Sequence, residues 1–344
     1  MQHREIGYYF IVMASFIVVL AGLKSASEII VPFLLSLFIA IILSPLYNFF
    51  NKKGLPNAIS LTLVVAIFVT FIGLVAKLIG SSVQEFSSNI NFYEQQLSSI
   101  FKQLLVFSNN IGIDIPQKEI ANVINTKQIM EFSTTIIKSI GSMFTNGLVI
   151  LLTVVFMMLE SKYFINKIEY ASSDSEAIGH IEEILERIQD YMVLKALISL
   201  LTGFIVWIAL LIVGTDYAFL WAVLAFILNF IPNIGSIIAA VPAVLLTLVQ
   251  LGSISALIVT LIYTAINVIV GSVIEPKVMG KGVGLSTLVV FLSLLFWGWM
   301  FGVVGMLLSI PLTIMAKIIF NANENTRWIA VLLGTGDNLS HVNK

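Results

Sequence analysis

Long charge-free windows alternate with short polar links along this 344-residue chain. Ile6–Leu23, Ile29–Asn51, Gly54–Ala76, Ser139–Leu159 and Ala196–Thr215 contain no Asp, Glu, Lys, Arg or His. Each is close to the roughly 20 apolar residues that carry a helix across a hydrocarbon core about 30 Å thick. Two longer windows come after them, Tyr217–Ile274 and Gly282–Ala316. The pattern predicts an all-α, polytopic transmembrane protein. Ser25-Ala26-Ser27 after the first window has the look of a signal cleavage site. A second apolar segment begins almost at once, which favours an uncleaved first helix.

The two long windows are too long for one crossing. Tyr217–Gln250 as a straight helix would measure roughly 51 Å. Its middle carries Asn229, Pro232, Asn233, Gly235, Ser236 and Pro242, which divide it into pieces of about 22 Å. Neither piece spans comfortably, so two half-helices meeting at Pro232–Gly235 are expected, as a hairpin or a broken helix. The last window repeats the design, with Leu285–Trp297 as one arm, a division at Gly298, and a second arm, Trp299–Phe320, holding Gly302, Gly305 and Pro311.

Two segments are polar. In the first, about residues 80–138, Tyr93, Leu97, Ile100, Phe101, Leu104 and Phe107 fall on one helical face. Asp114-Ile115-Pro116 opens a second helix there, with Ile120, Val123 and Ile124 on its apolar stripe and Thr126 capping a further turn. The second segment, 160–190, holds Ser173-Asp174-Ser175-Glu176, a capping-box pattern. Ile178, Ile181, Leu185 and Ile188 then predict an amphipathic helix feeding the fifth span.

Composition narrows the class. Hydrophobic residues make up 58% and charged residues 11%, and mean hydropathy is +1.02. Soluble domains carry about 25% charged residues. A net charge of −1 gives no footprint for nucleic acid. With no cysteine and three scattered histidines, no thiol chemistry, metal site or cofactor is implied. Met279–Gly284 is glycine-rich but lacks the strand–helix context of a phosphate loop and reads as a linker. No pair of carboxylates lies inside a span, so no enzymatic acid/base pair is visible.

With a cytoplasmic N-terminus and an even number of crossings in each divided run, twelve of the 18 Lys and Arg face inward. The six left outside are Lys24, Lys77, Lys102, Lys118, Lys127 and Lys138, mostly on the long insert, where the positive-inside rule is weak. The chain then divides into three transmembrane helices over 1–79, an extracytoplasmic helical insert over 80–138, and a transport core over 139–320. The core includes the cytoplasmic amphipathic helix of 160–190. A cytoplasmic tail occupies 321–344.

Three constellations are candidates for function. Irregular backbone at membrane depth is tolerated only where it is buried in protein or lines a wet cavity, and transporters place substrate sites at such breaks. Asn229, Pro232, Asn233, Gly235 and Ser236 therefore form a candidate substrate pathway. The plainer reading is a packed kink whose amides satisfy only freed backbone. Tyr263, Asn267, Gly271 and Glu275 recur every four residues, so each sits one turn from the next. Asn267 joins the pathway, unless it makes only an interhelical bond. Glu275-Pro276-Lys277 ends that span as a helix terminus with a local ion pair, or as a gate. Tyr191, Lys195, Ser199 and Gly203 form a third series. Lys195 and Ser199, with Pro311, complete the gating or coupling candidates, although a lysine there can also snorkel to the interface.

Asn229-Phe230-Ile231-Pro232-Asn233-Ile234-Gly235-Ser236 with Pro242, then Glu275-Pro276-Lys277-Val278-Met279-Gly280, then Gly302 to Leu312, resemble the autoinducer-2 exporter family. The series Tyr191, Lys195, Ser199, Gly203 matches a further stretch of that pattern. The resemblance covers most of the chain and is strongest over 187–316. It implies a multi-pass transporter of about eight segments in the bacterial inner membrane, assembling as a homo-oligomer, with a pentamer as one form. Some relatives export uncharged autoinducer-2, and others are described as sodium(lithium)/proton antiporters.

The first reading is export of a small, polar, uncharged metabolite, autoinducer-2 being the named candidate for quorum sensing. Neutral amides and hydroxyls suit such a ligand. The second is a cation/proton antiporter, whose nearest carboxylates, Glu160, Asp190, Asp216 and Glu275, lie at span ends. The third is a scaffold, which gains nothing from broken helices. The expected partners are the bilayer and either a small molecule or a monovalent cation and proton.

Overall fold

The structure is a computed structural model and describes residues 2–110, 135, 147–171, 175–232, 234–279 and 284–335. Asn233, the helix opened by Asp114–Pro116, the Ser173-Asp174 half of the capping box and Gly280–Val283 of the linker lie outside the described residues. Every regular element among the described residues is helical. These are α1 (Gln2–Ser25), α2 (Ser27–Lys52), α3 (Asn57–Asn110), α4 (Gly147–Ala171), α5 (Ser175–Val213), α6 (Ala218–Leu228), α7 (Gly235–Leu251) and α8 (Ser253–Ile266). After them come a π-helical segment (Asn267–Ile274), α9 (Glu275–Met279), α10 (Thr287–Leu307), α11 (Ser309–Asn321) and α12 (Arg327–Leu333). Among the described residues five helices are long and apolar enough to cross a membrane, and the chain is an all-α polytopic membrane protein.

One span differs from its expected end. The third does not stop near Ala76. It runs on through the first part of the polar insert as one helix of 54 residues, roughly 80 Å long. No proline interrupts it, and its two glycines, Gly73 and Gly80, weaken a helix without breaking it. The amphipathic helix feeds the fifth span without a break in α5, as the sequence predicts.

The chain forms two compact units. The first comprises 1–61, 148–193 and 281–344. In it, buried Ser36 of α2 bonds the carbonyls of Pro32 (2.7 Å) and, across to α4, Ile150 (3.2 Å). Lys24 of α1 sits 4.0 Å over the Trp299 ring of α10. The last apolar window does fold back on itself, but the reversal is at Gly302 rather than Gly298. Gly302 has φ +64 and ψ −145, a region essentially reserved for glycine. Gly298 and Gly305 instead allow the arms to close. A Cβ at Gly298 would meet the Met306 side chain at 2.8 Å, and one at Gly305 would collide with the Trp297 carbonyl. Trp297 Nε1 then donates to Thr313 Oγ1 at 2.9 Å. Pro311 is buried in the first turn of α11, where a proline costs no helical bond.

The second unit comprises 62–147 and 194–280. Here the expected hairpin is present. α6 and α7 run antiparallel from the Asn229–Ile234 turn, and their far ends are tied together. Thr215 and Thr247 hydroxyls lie 3.0 Å apart, while the Gln250 amide accepts from Asp216 N (2.9 Å) and donates to Gly214 O (3.2 Å). A Cβ at Gly235 would collide with the Leu228 carbonyl, so only glycine lets α7 begin this close to the end of α6. Tyr217, at φ +57, starts the hairpin. Its ring packs edge-on against Phe86 of α3, and its hydroxyl contacts Asn89 (3.3 Å) and Tyr93 (3.4 Å). α5 crosses α6 closely at Gly203, where a Cβ would meet Ala222 O and Phe226 Cβ at 3.0 Å.

A methyl group at the hairpin turn should therefore be felt far more than one on an open helix face. Gly235→Ala is expected to destabilise the detergent-solubilised protein by about 1–3 kcal/mol. Gly73→Ala, whose Cβ meets nothing within 4 Å, should be neutral or slightly stabilising. Comparing their thermal unfolding checks both; equal effects would show that the turn is not closely packed.

Candidate functional site

Three elements of the second unit bring polar side chains to one place. α5 supplies Thr202 and Val206, the α6–α7 hairpin supplies Ala225, Asn229 and Ser236, and α8 with its π-helical continuation supplies Tyr263, Asn267 and Gly271. Together they surround a cavity of about 10 Å³, roughly the space one water molecule requires. Hydroxyl and amide groups on the sequence-derived pathway or beside it thus converge, and the lining contains no charged side chain. No metabolite fits that volume.

The hydrogen bonds around the cavity orient its groups. Asn229 Nδ2 donates to Ser199 Oγ at 2.9 Å. This joins a residue expected in the pathway to one expected in coupling, and it leaves the Asn229 carbonyl oxygen as the end of that amide not engaged by Ser199. Thr202 Oγ1 donates to the Ile198 carbonyl at 2.9 Å, so towards the cavity it can only accept. Pro232 is half-buried in the turn, and its carbonyl accepts from Ile234 N at 2.6 Å. Gly235 acts through the close approach described above rather than through a polar group. The Tyr263 hydroxyl is buried with no hydrogen-bond partner among the described residues, an arrangement that costs about 1–3 kcal/mol.

The π-helix explains why one series of four-residue steps serves two places. In an α-helix each such step drifts about 40° around the axis, so Glu275 would stand about 120° from Tyr263. The wider i→i+5 turns of Asn267–Ile274 rotate back in the opposite sense. Tyr263, Asn267, Gly271 and Glu275 therefore stay on one stripe. Its upper members line the cavity, and the Asn267 amide oxygen lies 3.2 Å from where a Gly271 Cβ would stand. Its last member, Glu275, forms an ion pair with Lys195 of α5 at 2.5 Å. The Lys195 side chain is 4% exposed and that of Glu275 is 22% exposed. Lys195 does not snorkel away; it is held by a carboxylate. The local pairing expected within Glu275-Pro276-Lys277 is replaced by this longer-range one, and Pro276 and Lys277 are exposed.

Pro311 belongs to the other unit, and Asn233 is outside the described residues. The polar cavity residues not singled out from sequence are Thr202 and, as a pathway member, Tyr263. Tyr263 was visible as the head of the Asn267–Gly271–Glu275 series. Thr202 lies three residues after Ser199, on the same helical side, which was the available signal.

Removing one member of a buried ion pair leaves the other uncompensated. Lys195→Met is expected to cost about 3 kcal/mol, at the lower end of the usual range because Glu275 is partly open. Lys195→Met combined with Glu275→Gln should cost clearly less than the two single changes added. A double-mutant cycle on thermal unfolding tests this, and additive costs would mean that the pair is not coupled.

Comparison with known proteins agrees with this architecture. Residues 12–325 match the model of the AI-2E family transporter family. The AI-2 transport protein TqsA of Escherichia coli K12 is 37% identical over 324 residues, covering 94% of both chains. A Haemophilus influenzae chain, named provisionally as a transport protein, is 42% identical over 329 residues, again covering 94% of both. The Escherichia coli K12 chain YhhT, named in the same provisional way, is 35% identical over 328 residues, covering 94% of this chain and 93% of its own. A match across almost the whole chain, together with the divided helices, places this protein in the AI-2E transporter family.

Proposed function

We propose that this transporter moves a small, neutral, hydroxylated metabolite out of a bacterial cell across the inner membrane, with autoinducer-2 as the first candidate. The observation that carries the reading is the cavity itself. Asn229, Ser236, Asn267, Thr202 and Tyr263 offer amides and hydroxyls and no charge. A charged ligand would enter this lining without a counter-charge, at a large desolvation cost. A neutral polyol would exchange water for equivalent bonds. The 37% identity to a protein named for autoinducer-2 transport supports the candidate substrate. The sodium(lithium)/proton antiporter alternative lacks a carboxylate among the residues that line the cavity. A cytoplasmic N-terminus and a homo-oligomeric assembly complete the proposal, on the distribution of Lys and Arg and on the family pattern.

Flux into liposomes holding only the purified protein tests the reading, with autoinducer-2 and sodium followed in parallel, with and without a pH gradient. Autoinducer-2 movement is expected, without sodium-linked proton movement. Asn267→Ala and Ser236→Ala should each lower that flux about tenfold or more while the protein still inserts and assembles. Sodium-linked proton movement alone would overturn the proposal in favour of the antiporter.

A further inference from the structure

Resting on the neutral-metabolite reading, we infer that Tyr263 is the residue that selects the transported molecule, through a hydrogen bond between its hydroxyl and a hydroxyl or carbonyl group of the ligand. Tyr263 is 6% exposed, and its hydroxyl has no hydrogen-bond partner among the described residues. A buried tyrosine hydroxyl ordinarily finds a partner. Phenylalanine would fill the same space without the penalty, so the fold gives no reason for the oxygen.

The surroundings supply the reason. Tyr263 lines the cavity beside Asn267, Asn229, Ser236 and Thr202. The Asn229 amide nitrogen is engaged with Ser199, and the Thr202 hydrogen is engaged with Ile198. Thr202 therefore faces a ligand as an acceptor, while Asn229 keeps its carbonyl oxygen and its second N–H. Tyr263 adds a hydroxyl that both donates and accepts, and the Asn267 amide offers both as well. The set is complementary to a molecule with several hydroxyls and a carbonyl or ring oxygen. It discriminates against apolar analogues, because an apolar group in contact would leave these polar atoms unpaired. The cavity has room for about one water molecule, so it would have to widen to bring a ligand to the buried Tyr263 hydroxyl.

The test is Tyr263→Phe, reconstituted beside the wild type and assayed for autoinducer-2 flux, with glycerol and ribose as further neutral probes and with thermal unfolding measured in detergent. The expected result is a melting temperature equal to or above the wild type, since an unsatisfied polar group has been removed, together with a rise of about tenfold in KM for the hydroxylated probe that the wild type carries. Unchanged KM at unchanged stability overturns the inference and leaves the transport reading standing. A lowered melting temperature also overturns it, because the hydroxyl would then have a structural partner. If the wild type moves none of the probes, the transport reading falls and this inference falls with it.

Discussion

An unpaired backbone group in hydrocarbon costs several kcal/mol, and this chain breaks its helices inside its longest apolar runs all the same. Everything at the site depends on how the break between α6 and α7 is closed. Gly235 does it by sitting against the Leu228 carbonyl. That carbonyl, left without the donor Pro232 lacks, accepts from Ile231 N at 2.8 Å, and Gly235 N donates to Ile231 O at 3.3 Å. At the open end Thr215, Thr247 and Gln250 tie the two arms. The result is a short hairpin whose tip presents Asn229 and Ser236 rather than bare backbone. The hairpin of the other unit solves the same problem with the same residue type, Gly305 against Trp297.

Given that hairpin, α5 has little freedom. Gly203 allows it to approach α6, and Ser199, fully buried, meets Asn229. One turn earlier the same face carries Lys195. A cation there would be prohibitively placed without Glu275, and Glu275 is in reach only because the π-helix keeps it on the stripe of Asn267. Polar cavity and ion pair are thus successive turns of one packing interface, amide and hydroxyl at one level, charge at the next.

Much of this was legible in the sequence because membrane physics writes itself in coarse features. Charge-free windows marked the spans, and a 34-residue run with Pro232 and Gly235 at its centre had to be divided. The four-residue series pointed to Asn267 and Glu275 and to Lys195 and Ser199. What could not be read was pairing across helices. Nothing local says that Asn229 bonds Ser199, or that Glu275 prefers Lys195 to its neighbour Lys277. The choice of Gly302 over Gly298 as the reversal point was equally hidden, since two nearby glycines look alike until one needs a positive φ and the other needs only a missing Cβ. The uninterrupted length of α3 is hidden for another reason. A polar composition marks where apolar surface ends, whereas a helix ends only where its backbone is stopped.

The shared stripe has a consequence for motion. A cavity that holds one water must widen before a metabolite can enter, and the groups that would have to withdraw, Tyr263 and Asn267, lie on the same continuous helix as Glu275. If that helix moved as a rigid body, opening the cavity would also separate Glu275 from Lys195 and leave a buried lysine without its counter-charge. The ion pair would then oppose opening for as long as the helix is stiff. The π-helical stretch is where stiffness can be lost, because its wide turns can revert to α-helical ones and rotate α9 relative to α8. Such a reversion would turn Glu275 away from the cavity's axis without dragging Tyr263 along. The same eight residues, Asn267–Ile274, carry the helix from the neutral cavity to the charged pair.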